Sequence, residues 1–147
     1  MGHRVERTVQ VTASTEAAFD YVADFSHTQE WDPGIPSARR LDDGEIGRGS
    51  RFELVSRFGS TEQTIVYELT EHDRPNRVTL VGDGKNFHGT DTISFAPLEG
   101  GGTRVTYVAD LGLTGLAALA VPFLRGRLDE MSDAAVAGLR AALDRLA

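Results

Sequence analysis

The sequence lacks cysteine altogether, and among its 15 lysine and arginine residues only Lys85 is a lysine. The absence of thiols excludes disulfide bonds, thiolate metal ligands and cysteine nucleophiles. The preference for arginine is typical of a GC-rich bacterial genome and carries no information about mechanism.

Basic residues are outnumbered by 22 acidic ones, the net charge is -7, and no segment gathers arginines into a basic stripe. Nucleic acid is therefore not an expected partner. The first twelve residues alternate instead of forming an apolar signal core. The weakly polar run Leu111–Leu124 is too short and too rich in glycine and alanine to span a bilayer. We expect a soluble, cytoplasmic protein without stable membrane insertion.

Motifs for metal, cofactor or nucleophilic chemistry are also missing. The histidines do not form an HExxH motif or an i, i+4 pair, so no metal site is predicted; they are His3, His27, His72 and His88. There is no GxSxG elbow. The glycine-rich segments 82–84 and 100–102 do not open helices, so they predict turns and not phosphate sites. The sequence therefore predicts no cofactor.

One long segment, Leu116–Leu146, has apolar residues at helical spacing. Its stripe consists of Leu124, Leu128, Met131, Ala135, Leu139, Ala142 and Leu146. The opposite side is predicted to carry Asp129, Asp133, Arg140 and Asp144. The apolar face changes phase at Pro122, and proline is tolerated in a helix only near its start. We predict a kink there, or a short separate helix over about residues 114–121 before the long one.

The rest of the chain predicts one strand, two short helices and six further strands. The first strand covers residues 5–11, and the first helix begins at Ser14 or Thr15. A second short helix covers residues 25–31 and ends at Asp32-Pro33-Gly34. A weak strand at about 35–41 precedes five stronger strands between residues 51 and 111, joined by short turns that make the strands antiparallel. No linker divides the chain, so residues 1–147 are expected to form a single domain.

The inward face of the predicted sheet is mostly apolar and aromatic. Its apolar members are Phe52, Leu54, Phe58, Ile65, Leu69, Phe87, Ile93, Phe95, Val105 and Leu111. Its polar members are Gln63, Tyr67, Asp91 and Tyr107. An apolar concavity with a few polar groups suits a small-molecule site. The same residues can equally pack as an ordinary core.

Asp91 is the most unusual inward residue, because strand alternation places its carboxyl group beside aromatic side chains. If Asp91 is buried, desolvation favours its neutral form, which could orient a ligand hydroxyl or donate a proton. Alternatively, the strand register slips near Gly89, and Asp91 is exposed or paired with an arginine. Tyr67 and Tyr107 can donate hydrogen bonds to a carbonyl group.

Several segments resemble one known family. They are residues 19–25 (FDYVADF), 30–33 (EWDP), 47–52 (GRGSRF), 75–77 (PNR) and 102–105 (GTRV). Together they are similar to the START-like (SRPBCC) superfamily, in particular its polyketide cyclase/dehydrase and lipid transport branch. The resemblance implies an α+β helix-grip fold, in which a curved antiparallel sheet of about seven strands surrounds a long carboxyl-terminal helix, with a ligand cavity between them.

This resemblance also implies which side chains contact a ligand. The expected set is Trp31, Phe52, Leu54, Phe58, Ile65, Tyr67, Phe87, Asp91, Ile93, Phe95, Tyr107, Phe123 and Met131. Trp31 is either a lid at the pocket mouth or an anchor for the second short helix. If the carboxyl-terminal helix approaches the sheet closely at its small residues, the cavity is confined beside Phe123 and Met131.

Three functions remain open. The favoured one is non-catalytic binding or transport of a lipophilic small molecule, such as a lipid, isoprenoid, quinone or polyketide-like compound. The second is a polyketide cyclase, aromatase or dehydratase in which Asp91 and Tyr67 or Tyr107 transfer protons. The third is a protein-interaction module with a collapsed pocket, which includes a homodimer.

Overall fold

The computed structural model describes residues 2–146. Two short helices follow the first strand, and the long helix is last: α1 Thr15–Ala23, α2 Thr28–Trp31 and α3 Val121–Asp144. Single 3₁₀ segments, Phe25–His27 and Gly115–Ala120, precede α2 and α3. The strands are β1 Gly2–Val11, β2 Ser37–Arg40, β3 Arg51–Phe58, β4 Thr61–Asp73, β5 Arg77–Gly84, β6 Phe87–Pro97 and β7 Thr103–Leu113. None of the helices in this part of the chain is long and apolar enough to cross a membrane.

The seven strands form one antiparallel sheet in the order β1-β7-β6-β5-β4-β3-β2. Each strand from β2 to β6 pairs with the strand that follows it in the sequence, as expected for consecutive strands. The first strand pairs with the last, from Gly2 opposite Gly112 to Val11 opposite Thr103. The predicted element order and the helix-grip fold are confirmed.

The predicted turn at Gly82–Gly84 is wrong. Both glycines belong to β5, and the turn to β6 is the pair Lys85–Asn86, in which Asn86 has a φ of 60°. Gly82 has a packing role, because a Cβ atom there would lie 2.5 Å from Cε1 of the Tyr67 ring. Glycine is therefore needed at residue 82 so that the Tyr67 ring can lie flat against β5.

The amino-terminal helices cover one half of the inner sheet face. The Ser14 side chain caps α1 by accepting a hydrogen bond from the Ala17 N–H at 3.1 Å. From α1, Phe19 packs edge-on against Phe95 of β6, with ring centroids 5.5 Å apart. From the following 3₁₀ segment, Phe25 packs against Phe52 of β3 at 6.4 Å. This half of the sheet is therefore filled by the protein's own aromatic side chains.

The phase change at Pro122 is confirmed as a 3₁₀ segment followed by a separate long helix, with Pro122 in the first turn of α3. The predicted buried stripe is correct only in part. Leu139 and Ala142 are buried, but Leu146 is exposed, and the buried residues Val136 and Leu143 lie outside the stripe.

The acidic side of α3 contacts β1 and the residue that follows it, although its carboxylates remain partly exposed to solvent. Asp129 contacts His3 at 2.8 Å and Asp133 accepts a hydrogen bond from Arg7 at 2.6 Å. Asp144 accepts one from the Thr12 N–H at 2.9 Å. The prediction missed this because α3 lies along an edge strand that carries polar residues, which the helical period alone cannot reveal.

Candidate functional site

A cavity of about 440 Å³ lies between the sheet and α3. Its apolar walls come mainly from β1, β6, β7 and the amino-terminal half of α3: Val5, Phe87, Ala109, Leu111, Val121, Leu124, Leu128, Met131, Ala135 and Val136. Thr61, Lys85 and Asn86 also line it and are exposed, so they mark where the cavity reaches solvent. The pocket is therefore not collapsed, contrary to the premise of the interaction-module hypothesis.

Seven of the predicted ligand-contacting residues line this cavity: Phe58, Ile65, Tyr67, Phe87, Asp91, Tyr107 and Met131. Phe52, Leu54, Ile93 and Phe95 face inward but lie in the core outside the cavity. They differ from the first group because α1 and residues 25–31 cover their part of the sheet. Inward orientation alone therefore did not identify the cavity wall.

Trp31 does not line the cavity. Its side chain is 4% exposed and packs edge-on against Phe25 and Tyr107, with ring centroids 6.4 and 6.2 Å away. Its carbonyl group lies directly against Gly138 of α3. Trp31 thus occupies the anchor position and not a lid.

Phe123 also lies outside the cavity, contrary to expectation. It is 88% exposed, and Leu116 and Leu119 are exposed beside it in the sequence. The 3₁₀ segment turns Ala117 and Val121 toward the cavity instead. Phe123 was expected beside Met131, but it lies in the first turn of α3, directly after a 3₁₀ segment whose three residues per turn change which side chains face the cavity.

Asp91 is buried in the cavity wall at 6% exposure. The register between β5, β6 and β7 is regular through Gly89, so the alternative of a register slip is wrong. Ile93 and Ala109 are the cross-strand partners of Tyr107 and Asp91, which makes Asp91 and Tyr107 diagonal neighbours on one face. The Tyr107 hydroxyl donates a short hydrogen bond to Asp91 Oδ2.

Burial raises the pKa of Asp91 to about 7, against the opposing effect of the Tyr107 hydrogen bond and with a contribution from the nearby Asp32 charge. Its Oδ1 atom is buried and has no hydrogen-bond partner among residues 2–146. Burial therefore favours the neutral acid form of this side chain more strongly than in water, and one of its oxygens is left without a hydrogen-bond partner.

Asp32 lines the cavity but was not among the expected ligand contacts, because Asp32-Pro33-Gly34 was interpreted as the turn that ends the second short helix and only Trp31 was assigned to the pocket. Its Oδ1 accepts a hydrogen bond from the Gly34 N–H at 2.8 Å, as a turn residue would. The same side chain lines the cavity, and burial raises its pKa to about 6. The sequence feature that could have identified Asp32 as a cavity residue was its position next to the tryptophan Trp31.

Tyr67 and Tyr107 remain neutral phenols at physiological pH. Burial, together with the charge of Asp91, raises the pKa of each well above its usual value of 10. Tyr67 contacts the Phe25 ring edge-on at 5.3 Å. Both hydroxyl groups are thus hydrogen-bond donors, and that of Tyr107 already donates to Asp91.

Among residues 2–146, no basic residue of the lining forms an ion pair with Asp91 or Asp32, although Arg7 lies opposite Tyr107 in the β1–β7 pairing. His3 and Arg7 line the cavity while pairing with Asp129 and Asp133 of α3, and Lys85 is at the exposed mouth. Among the residues described, no group of three or more His, Asp or Glu side chains could hold a metal ion. The arrangement provides hydrogen bonding and proton transfer at one wall of an apolar chamber.

Solved structures similar to this chain include a START superfamily protein and an aromatase/cyclase. A START superfamily protein from Mycobacterium smegmatis has a TM-score of 0.82 and 20% identity, with 99% of each chain covered. The Zhui aromatase/cyclase from Streptomyces sp. R1128 has a TM-score of 0.78 and 15% identity, with 99% of this chain and 95% of that chain covered. At these identities the likeness concerns the fold.

No curated protein sequence matches this chain. A family model described as polyketide cyclase / dehydrase and lipid transport matches residues 2–147. The match covers nearly the whole chain and agrees with the START-like fold. The protein therefore belongs to the polyketide cyclase / dehydrase and lipid transport family.

Proposed function

We propose that this protein binds a lipophilic small molecule in the cavity between the sheet and α3. The observation that carries this proposal is a mainly apolar chamber of about 440 Å³ whose wall includes the hydrogen-bonded pair Asp91 and Tyr107. Small-molecule sites typically have volumes of about 300–1,000 Å³ and this combination of lining groups. Membership of a family that includes lipid transport proteins agrees with it.

Ligand exchange is proposed at the exposed mouth. Asn86 of the β5–β6 turn accepts a hydrogen bond from the Thr114 N–H at 3.0 Å, which ties this turn to the segment before α3. Ala117 in that segment lines the cavity. A small separation of the turn from residues 115–120 would widen the mouth without disturbing the core around Trp31.

Filling the chamber tests the proposal. Ala135→Phe places a large side chain on the cavity wall and is expected to weaken ligand binding at least tenfold, since the added ring occupies ligand space. Ala137→Phe is the matched control, because Ala137 is exposed on the same helix. Native mass spectrometry for a co-purified molecule, followed by calorimetric titration of that molecule, measures the effect. Equal binding by the two variants would place the ligand elsewhere.

A second candidate function is proton-transfer catalysis on a polyketide-like substrate. The specific observation is the hydrogen-bonded pair Asp91–Tyr107 inside the cavity. The Asp91 carboxylate would take a proton from a carbon between two carbonyl groups. The Tyr67 hydroxyl, which lines the same cavity, would donate a hydrogen bond to the oxygen that gains charge, since the Tyr107 hydroxyl already donates to Asp91. The protonated Asp91 would return the proton after ring closure. An acid with a pKa of about 7 suits both roles at neutral pH.

A measurement of catalytic turnover distinguishes the binding function from the proton-transfer function. With a poly-β-ketone substrate, Asp91→Asn is expected to lower kcat at least tenfold while the dissociation constant changes little, because asparagine preserves the shape of the side chain but transfers no proton. Single-turnover product analysis and equilibrium titration measure the two quantities. Binding without turnover in the parent protein would support the carrier function and exclude the catalytic one.

A further inference from the structure

The acidic and the basic side chains that line the cavity are placed differently. Two carboxyl groups, Asp91 and Asp32, lie in the lining and act on each other electrostatically. The phenols Tyr67 and Tyr107 lie within range of the same two charges. The interior of the chamber is therefore acidic in character.

The basic side chains of the lining do not neutralise these acids. The His3 ring contacts Asp129 at 2.8 Å, and the Arg7 Nε donates to Asp133 at 2.6 Å. Arg7 Nη1 donates a further hydrogen bond to the Glu6 carbonyl at 2.9 Å. Lys85 is exposed at the mouth. The cationic groups are thus directed to α3, to the β1 backbone or to solvent.

Asp91 has unused capacity to accept hydrogen bonds. Tyr107 satisfies Oδ2, whereas Oδ1 has no partner within residues 2–146. Nearly all buried polar atoms in native proteins are hydrogen-bonded, and each oxygen of a carboxylate can accept two bonds. A ligand that brings a donor to this wall would satisfy the carboxyl group. A ligand carboxylate would instead add a third acid to an apolar chamber that already contains two.

We propose that the ligand carries a hydrogen-bond donor at its polar end, a protonated amine or a hydroxyl group on a hydrocarbon body, which the Asp91 carboxyl group binds, and that the cavity discriminates against carboxylates. This inference rests on the proposed binding function and names the ligand class for the same site. The amine binds more tightly than the alcohol, because only the amine also compensates the charge of the two acids.

Three ten-carbon probes with different polar ends test the inference. Decylamine, 1-decanol and decanoic acid are titrated into the full chain at pH 7.5, below their aggregation concentrations, by isothermal calorimetry. The expected order is amine, alcohol, acid, with the acid at least tenfold weaker than the amine. In Asp91→Asn the preference for amine over acid falls at least tenfold, while the affinity for the alcohol changes little.

Asp110→Asn is the matched control, since Asp110 is an exposed carboxylate on the neighbouring strand β7. It removes the same unit of charge and is expected to leave the order of affinities unchanged.

Equal affinities for the three probes would overturn the inference and preserve the proposed function. Tightest binding of decanoic acid would also overturn it and would indicate a carboxylate site at Arg7. Failure of all three probes, together with no co-purified molecule, would overturn the binding function itself. If Asp91→Asn failed to fold, the order of the three probe affinities in the parent protein would still test the inference.

Discussion

Gly138→Ala is expected to lower the free energy of unfolding by about 3 kcal/mol, although alanine is the better helix former. A methyl group at this position would lie 1.9 Å from the Trp31 carbonyl oxygen and 3.0 Å from its carbon. Trp31 is buried and packs against Tyr107, so it cannot withdraw without disturbing the core and the partner of Asp91. The substitution must therefore separate α3 from α2.

The same substitution at Gly126 is the matched control. A Cβ atom there meets nothing within 4 Å, and the residue is exposed on the same helix. Gly126→Ala is expected to raise the free energy of unfolding by up to about 1 kcal/mol, the difference in helix propensity between the residues. Chemical denaturation measures both values. Equal stability of the two variants would mean that α3 does not approach Trp31 as closely as described.

Asp91→Asn is expected to remove most of the pH dependence of stability near neutrality. Between pH 5 and pH 8 the unfolding free energy of the parent protein should fall by about 2–3 kcal/mol more than that of the variant, given a folded pKa of about 7. Asparagine does not titrate, and its amide oxygen can still accept the Tyr107 hydrogen bond.

The sign of this pH dependence follows from the number of protons that the folded and unfolded states bind. The pKa of Asp91 is raised on folding from its ordinary value of about 4, so the folded state binds more protons than the unfolded state between these values. The contribution to stability is complete below about pH 4 and is lost as the pH rises through about 7. Asp32→Asn should show a smaller effect at lower pH, because the pKa of Asp32 is about 6. Denaturant midpoints across this range measure the slopes. Parallel slopes for the parent and Asp91→Asn would contradict the burial of an unpaired acid.

These two substitutions act at opposite ends of one connected unit. Gly138 allows α3 to contact α2 beside Trp31, and Trp31 supports Tyr107. Tyr107 in turn holds Asp91 at the cavity wall. Gly138→Ala should therefore also weaken ligand binding, whereas Gly126→Ala should not.

Strand faces and element order were predictable because they depend on local patterns. Period-two alternation placed Asp91, Tyr67 and Tyr107 on the inner face, and short turns made neighbouring strands antiparallel. The turn at Lys85–Asn86 was missed because Gly82 resembles a turn residue. Its actual role, making room for the Tyr67 ring, involves a residue on another strand.

The division of the inner face into core and cavity was not predictable from strand patterns. Phe95 and Phe87 lie on the same face of β6, yet only Phe87 lines the cavity. Phe19 of α1 covers Phe95, and this contact joins residues far apart in the sequence. Asp32 was missed for a similar reason, since its second role depends on α3 and the sheet closing around it.

Sequence period and proline placement were sufficient to predict a long final helix with a break near Pro122. The distance of this helix from the rest of the protein was set only in the tertiary structure. Gly138 brings α3 against α2, while Asp129 and Asp133, earlier in the same helix, hold it against β1. The chamber lies beside the large side chains of Leu124, Leu128 and Met131, whereas α3 makes its close approach to α2 further along, at Gly138, because glycine has no Cβ atom to keep the two backbones apart.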